Sequence, residues 1–193
     1  IGFNPANVNE AHGAITSFVA EGYKSVKVSD SPETWEVQDA SVSAATQEEF
    51  TSVVAEAGAK VVLAAGTYSA PSTIADGVII EGVAGTVIDI PAAVAYHDKN
   101  IKFKSLTVKS PNANYTGIQH AASVKYEDCT IEGQPFSYAT EAVYENCKFV
   151  QTKNDAYNIW IYGSKNITFN NCEFNCAGKA VLIYNEGALA TSK

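Results

Sequence analysis

One pattern constrains this chain more than any other: an apolar-x-aromatic-x-x-(Leu or Cys)-x-apolar unit that returns four times. The units read Ile101-Lys-Phe103-Lys-Ser-Leu106-Thr-Val108, Val124-Lys-Tyr126-Glu-Asp-Cys129-Thr-Ile131, Ala142-Val-Tyr144-Glu-Asn-Cys147-Lys-Phe149 and Ile167-Thr-Phe169-Asn-Asn-Cys172-Glu-Phe174. Their aromatic positions lie 23, 18 and 25 residues apart. Within each unit the in-out alternation runs for one short strand, breaks for two residues and resumes, which marks two strands joined at a corner. A single unit cannot bury its apolar face. Stacked at the ~4.8 Å spacing of neighbouring strands, equal positions lie over one another and form a continuous core.

Stacking predicts columns. Phe103, Tyr126, Tyr144 and Phe169 form one inside, and Leu106, Cys129, Cys147 and Cys172 another. At the corner, Ser105, Asp128, Asn146 and Asn171 form a polar structural ladder, since Asn and Asp tolerate the left-handed backbone such a bend requires. Two further apolar runs, Ile159-Trp160-Ile161-Tyr162 and Val181-Leu182-Ile183-Tyr184, are followed closely by Gly163 and Gly187, and their last tyrosines are 22 residues apart. They supply a third strand per coil. The expected fold is therefore all-β, a parallel β-helix or solenoid with three short strands per coil.

The first half provides an opening for such a stack. Thr46-Gln-Glu-Glu49 is a capping box, Phe50, Val53, Val54 and Ala57 follow at helical spacing, and Gly58 stops the helix. Val61 to Tyr68 reads as a buried strand and turn, and Val78 to Val83 with Val87 to Ile90 as the next coil; Ile80 to Phe103 is again 23 residues. A short N-terminal helix covering the first rung protects its bare strand edges. Residues 9–28 echo this arrangement, with a helical stretch through Ile15, Phe18 and Val19, then Gly22, then a strand at Val26–Val28, while residues 29–45, with Pro32 and Trp35, read as a polar loop. The domains expected are 1–45, an N-terminal arm or cap, and 46–193, the β-helix, continuing beyond or covered by a partner because Asn185 to Leu189 offers no capping helix. The chain opens at Ile1 without Met, so it is expected to be a processed or partial chain.

Charge narrows the function classes. All 13 cationic side chains are Lys, against 21 acids, for a net charge of −8. Without Arg there is no bidentate clamp for phosphate or carboxylate, which argues against nucleic acid and against a tightly held acidic polysaccharide. No apolar run approaches the ~18 residues of a membrane span. The cysteine gaps of 18, 25 and 4 do not fit paired zinc ligands, so no metal and no cofactor are expected. The column cysteines read as reduced, packed thiols, with Cys176 outside the column and accessible.

The segment Glu48-Glu49-Phe50 with Ala57 to Tyr68 resembles the helix-then-first-coil opening of pectate-lyase-like right-handed β-helix proteins, and the Tyr126–Gly133, Tyr144–Phe149 and Phe169–Cys176 units resemble their later coils. Such Asn-Cys coils resemble those of phage virion and gut-bacterial surface proteins. The resemblance spans roughly residues 46–187. It implies a right-handed helix and a virion or extracellular, cell-surface location, and it is consistent with lyases, hydrolases, tailspikes and inert scaffolds alike. Lyases of this type use an acidic calcium cluster and a basic residue, usually Arg, which this chain lacks.

Each chemical candidate stands beside a plainer reading. Glu127 and Glu145 share a column with Lys104 and Asn170, and Lys104 with Glu127 reads as a surface ion pair. Asp155 with Glu132 or Glu173 is a calcium candidate, or a solvated loop acid. His12, His97 and His120 share no motif with a nucleophile or a ligand. Asn114-Tyr-Thr116 and Asn166-Ile-Thr168 match glycosylation acceptors. Trp160, Tyr162, Tyr157 and Tyr184 form a candidate glycan-binding face, with Trp160 and Tyr162 opposite Ile159 and Ile161. The leading expectation is a non-enzymatic structural or adhesive module, a phage capsid decoration, fibre or tail component, with protein partners or self-association through the terminal rung. The alternatives are a carbohydrate-active enzyme, lyase or hydrolase, and a glycan-binding surface module.

Overall fold

The computed structural model describes residues 19–20, 23–30, 33–112, 116–162 and 166–184, in two compact units that divide between Ser41 and Val42. In the first unit Val19–Ala20, Tyr23–Asp30 and Glu33–Asp39 form an antiparallel sheet in that order. Two expectations are corrected here. Val19 lies in a strand instead of a helix, and the polar segment expected as loop contains the strand Glu33–Asp39. The reason is period: Tyr23-Lys-Ser-Val26-Lys-Val28 and Thr34-Trp35-Glu-Val37 alternate polar with β-branched or aromatic residues, and Lys27 pairs across the sheet with Trp35. Ile15, Phe18, His12, Gly22 and Pro32 lie outside the described residues.

The second unit is an all-β parallel solenoid of about six turns with one helix. Its first sheet runs Val42–Ala44, Lys60–Leu63, Val78–Gly82, Asn100–Lys104, Ser123–Glu127, Glu141–Glu145 and Asn166–Asn170, neighbours in that order and all parallel. The second runs Gly66–Ser69, Thr86–Asp89, Thr107–Lys109, Thr130–Glu132, Lys148–Gln151 and Glu173–Cys176. On the third side Ala93–Ala95 pairs with Gly117–Gln119, and Phe136–Ser137, Tyr157–Tyr162 and Lys179–Tyr184 form a separate sheet.

Register follows the repeat residue for residue: Ile101, Val124, Ala142 and Ile167 align, as do Phe103, Tyr126, Tyr144 and Phe169. The aromatic column is a face-to-face stack, with ring centroids 5.3, 4.8 and 5.1 Å apart down the four coils. Phe149 and Phe174 stack beside it at 4.5 Å. Burial of these rings away from water, with parallel packing at strand spacing, dominates the core.

The helix Gln47–Val53 opens with the capping box: the Glu49 amide donates to Thr46 Oγ1, and the Thr46 amide to the Glu49 carboxylate. It is shorter than the apolar spacing suggests, ending at Val53 with Val54 as C-cap, and Gly58 turns the chain after it at φ +70°. Phe50 and Val54 are fully buried, and the helix packs on Val42–Ala44 and Lys60–Leu63. Gln47 acts as a miniature strand: its Nε2 donates to the Ser69 carbonyl at 3.2 Å and its Oε1 accepts from the Ser69 amide at 2.8 Å. That side chain satisfies the edge of the second sheet, where the first coil has no neighbour strand before it.

Candidate functional site

Four features of the solenoid surface were built up from its residues: the corner ladder, the ion-pair strip, the third-side aromatic cluster and the last described coil. At the corner between first and second sheets, Ser105, Asp128, Asn146 and Asn171 all have φ between 51° and 55°. Asn146 Nδ2 donates to Asp128 Oδ1 at 3.2 Å and Asn171 Nδ2 to Asn146 Oδ1 at 2.8 Å, so the ladder has a direction, ending on the Asp128 carboxylate. Just inside it the thiols donate to backbone carbonyls, Cys129 to Glu127 at 3.2 Å and Cys147 to Glu145 at 3.3 Å. Contact with Cys129 and burial hold the Cys147 thiol well above its ordinary range, and burial raises Cys172 as well. No cysteine is in a disulfide, and Cys172 is half-buried like Cys176, so Cys176 is not alone in its exposure. The cause is position: Cys172 lies in the last described coil.

On the outer face of the first sheet, Lys60 Nζ sits 3.3 Å from Glu81, Lys102 2.7 Å from Glu127, and Lys104 between the two acids at 3.9 and 3.8 Å. The hydrogen bond from Lys102, with the charges of Lys102 and Lys104, holds the Glu127 carboxyl below its usual range. A carboxylate kept ionised in this way is poorly suited to donate a proton as a general acid. Asp155 pairs with Lys153 at 3.5 Å, and Glu173 with Lys148 at 3.4 Å.

The third side carries rings that sequence reasoning had left unrelated. His97 stacks on His120 at 5.1 Å and 15°, and His120 meets Tyr138 at 4.8 Å. Tyr138 lies 5.8 Å from Phe136, which lies 5.4 Å from Trp160, which lies 6.4 Å from Tyr157. The signal was present: His97, His120 and Tyr138 each stand six residues before Phe103, Tyr126 and Tyr144. Ile159 and Ile161 are buried in the inner core, so Trp160 faces outward, half-buried, and Phe136, its register partner, is covered on that outer side at 1% exposure. Tyr157 is half-buried beneath the Lys179 ammonium at 4.9 Å, and Tyr184 is 44% exposed. Tyr162 pairs with Tyr184 in the backbone ladder; its side chain, like Asn114 and Gly163, lies outside the described residues. Stacked His97 and His120 present ring edges outward, whereas sugar stacking uses ring faces, so the outward-facing Trp160 and Tyr184 are the better platform in this cluster.

Between the second and third sides a buried polar network ties coils together. Gln151 Nε2 donates to Asn112 Oδ1 at 2.6 Å and to the Tyr157 carbonyl at 3.0 Å, and Gln134 Oε1 accepts from the Tyr157 amide at 3.0 Å. Gly133 is required here: at φ +87°, a Cβ on it would run into the Ser110 carbonyl.

The last described coil differs from those before it. Ala142, Tyr144, Cys147 and Phe149 are buried, but their register partners Ile167, Phe169, Cys172 and Phe174 are only half-buried. Ile161 is 4% exposed and its partner Ile183 is 66% exposed. The interior columns thus reach an open apolar end.

Compared with known proteins, residues 72–193 match the family model described as a right handed beta helix region. No curated protein and no solved structure matches.

Proposed function

Because the chain belongs to the right-handed β-helix family, we propose that it is a non-enzymatic structural or adhesive module that takes its place in a larger assembly through its last coil. The observation that carries this reading is the open apolar end, where Ile167, Phe169, Phe174 and Ile183 present core-type side chains beside the strands Asn166–Asn170, Glu173–Cys176 and Lys179–Tyr184. Exposed strand edges next to apolar surface are a template for another chain. The paired Lys and Glu side chains of the first sheet support a scaffold over an acid–base catalyst, since each acid there is neutralised by a neighbour.

The assembly assigned to it is a phage virion, as a capsid decoration, fibre or tail component, or a cell surface; the resemblance of its Asn-Cys coils to those of such proteins supports this. The test is the mass of the purified full chain by light scattering, with negative-stain imaging. A stable oligomer or ordered particle is the expected result. A monomer at every soluble concentration overturns end-on self-assembly and moves the functional reading to glycan binding at Trp160 and Tyr184.

A further inference from the structure

We infer that the partner of the last coil is the same coil of a second copy, met head to head, so that assembly closes at a dimer; this rests on the end-on reading above. The first ground is that the two ends of the described solenoid are unlike. At the first coils the helix Gln47–Val53 stoppers the interior with Phe50 and Val54, and Gln47 occupies both backbone groups of Ser69 at the sheet edge. An arriving strand finds no free edge there. Head-to-tail stacking would need that edge, and repetition of it would build an open filament. Only the last coil offers apolar surface and strand edges together, so two copies join by the same surface on each.

The second ground is charge. The chain carries a net charge of −8, so most approaches of one copy to another are repulsive. The described residues 166–184 contain one acid, Glu173, and one base, Lys179, and the other exposed polar positions there include Asn166, Thr168, Asn170 and Asn175. The open end is therefore neutral, and two copies can meet there without the repulsion of the rest of the surface. The third ground is hydrogen bonding. A two-fold axis across the solenoid brings strands together antiparallel, a pairing in which backbone N–H and C=O groups are fully matched.

The experiment is light scattering on the full chain over a wide concentration range, for the native sequence, Ile183→Asp and Val42→Asp. Val42 is 47% exposed on the first strand of the solenoid and so reports on the opposite end. The native mass should stop at twice 20.5 kDa. Ile183→Asp should raise the dissociation constant about a thousandfold, because an isologous interface carries each substitution twice, while Val42→Asp should leave it unchanged. Mass that keeps growing with concentration, or dissociation caused by Val42→Asp, overturns the head-to-head arrangement and leaves end-on assembly standing. A native monomer overturns both. Should Ile183→Asp lose its circular dichroism, thiol cross-linking decides: Cys172 and Cys176 should join copies in pairs, and cross-linked ladders longer than two refute closure.

Discussion

Asn146 sits at the centre of the corner ladder, and three substitutions there separate what holds the corner together. Its side chain makes two hydrogen bonds, donating to Asp128 and accepting from Asn171, and its backbone is left-handed at φ 52°. Asn146→Gly removes both hydrogen bonds, roughly 0.5–1 kcal/mol each at an exposed site, and adds about 0.5–1 kcal/mol of chain entropy in the unfolded state, while the left-handed backbone becomes free of strain. A loss of about 2 kcal/mol is expected. Asn146→Ala loses the same two bonds and puts a Cβ into a conformation that disfavours it by about 1–2 kcal/mol, so it should be about 1 kcal/mol worse than Gly. Asn146→Asp keeps the backbone tolerance and the acceptor for Asn171 but turns a donor toward Asp128 into a second carboxylate, so its deficit should shrink as salt is added. Urea unfolding followed by circular dichroism gives all three. If Ala and Gly are equal, the left-handed corner is not what selects Asn here; if Gly equals the native protein, the ladder contributes nothing to stability.

Two further outcomes follow from the coils themselves. Gly133→Ala, which drives a Cβ into the Ser110 carbonyl at φ +87°, should lower stability by about 4 kcal/mol or more, whereas Gly58→Ala, at φ +70° with open space around it, should lower it by only about 1 kcal/mol; equal melting temperatures for the two would contradict the close approach. Burial holds the hydroxyls of Tyr96, Tyr126 and Tyr144 above their ordinary value. Their neutral form is favoured by folding, so this contribution is full below about pH 10 and is lost as pH rises above it. Phenolate absorbance from these three should appear only with unfolding, and Tyr126→Phe with Tyr144→Phe should carry the fold to higher pH; free titration of all ten tyrosines in the folded protein would refute this.

The solenoid was legible because stacking demands the same chemistry at the same position in each coil. The column from Phe103 to Phe169 states its own register, and the Ser-Asp-Asn-Asn series states its corner. The capping box was equally local. What the residues left hidden was of two kinds. In the first unit, Lys27 opposite Trp35 belongs to strands with many polar side chains, so alternation there is easily taken for loop. In the solenoid, Gln47 filling the edge at Ser69, and Gln151 reaching Asn112, are single polar side chains whose partners lie 22 and 39 residues away, with no repeated pattern to announce them. The histidine stack was concealed by residue type, since two His and a Tyr share a position without sharing an obvious chemistry.

The constant six-residue offset between that stack and the aromatic column has a consequence for how this protein can change. From His97, His120 or Tyr138 through the corner to the end of the second strand, the chain keeps the same count in each coil. The variation lies in the next stretch, 11 residues from Lys109 to His120 but six from Glu132 to Tyr138. Loop closure grows only as the logarithm of length, so this stretch is a splice point where a foreign segment of a dozen residues can be grafted into one coil without disturbing the registry of those above and below. New specificity can be written there while the rod itself stays unedited.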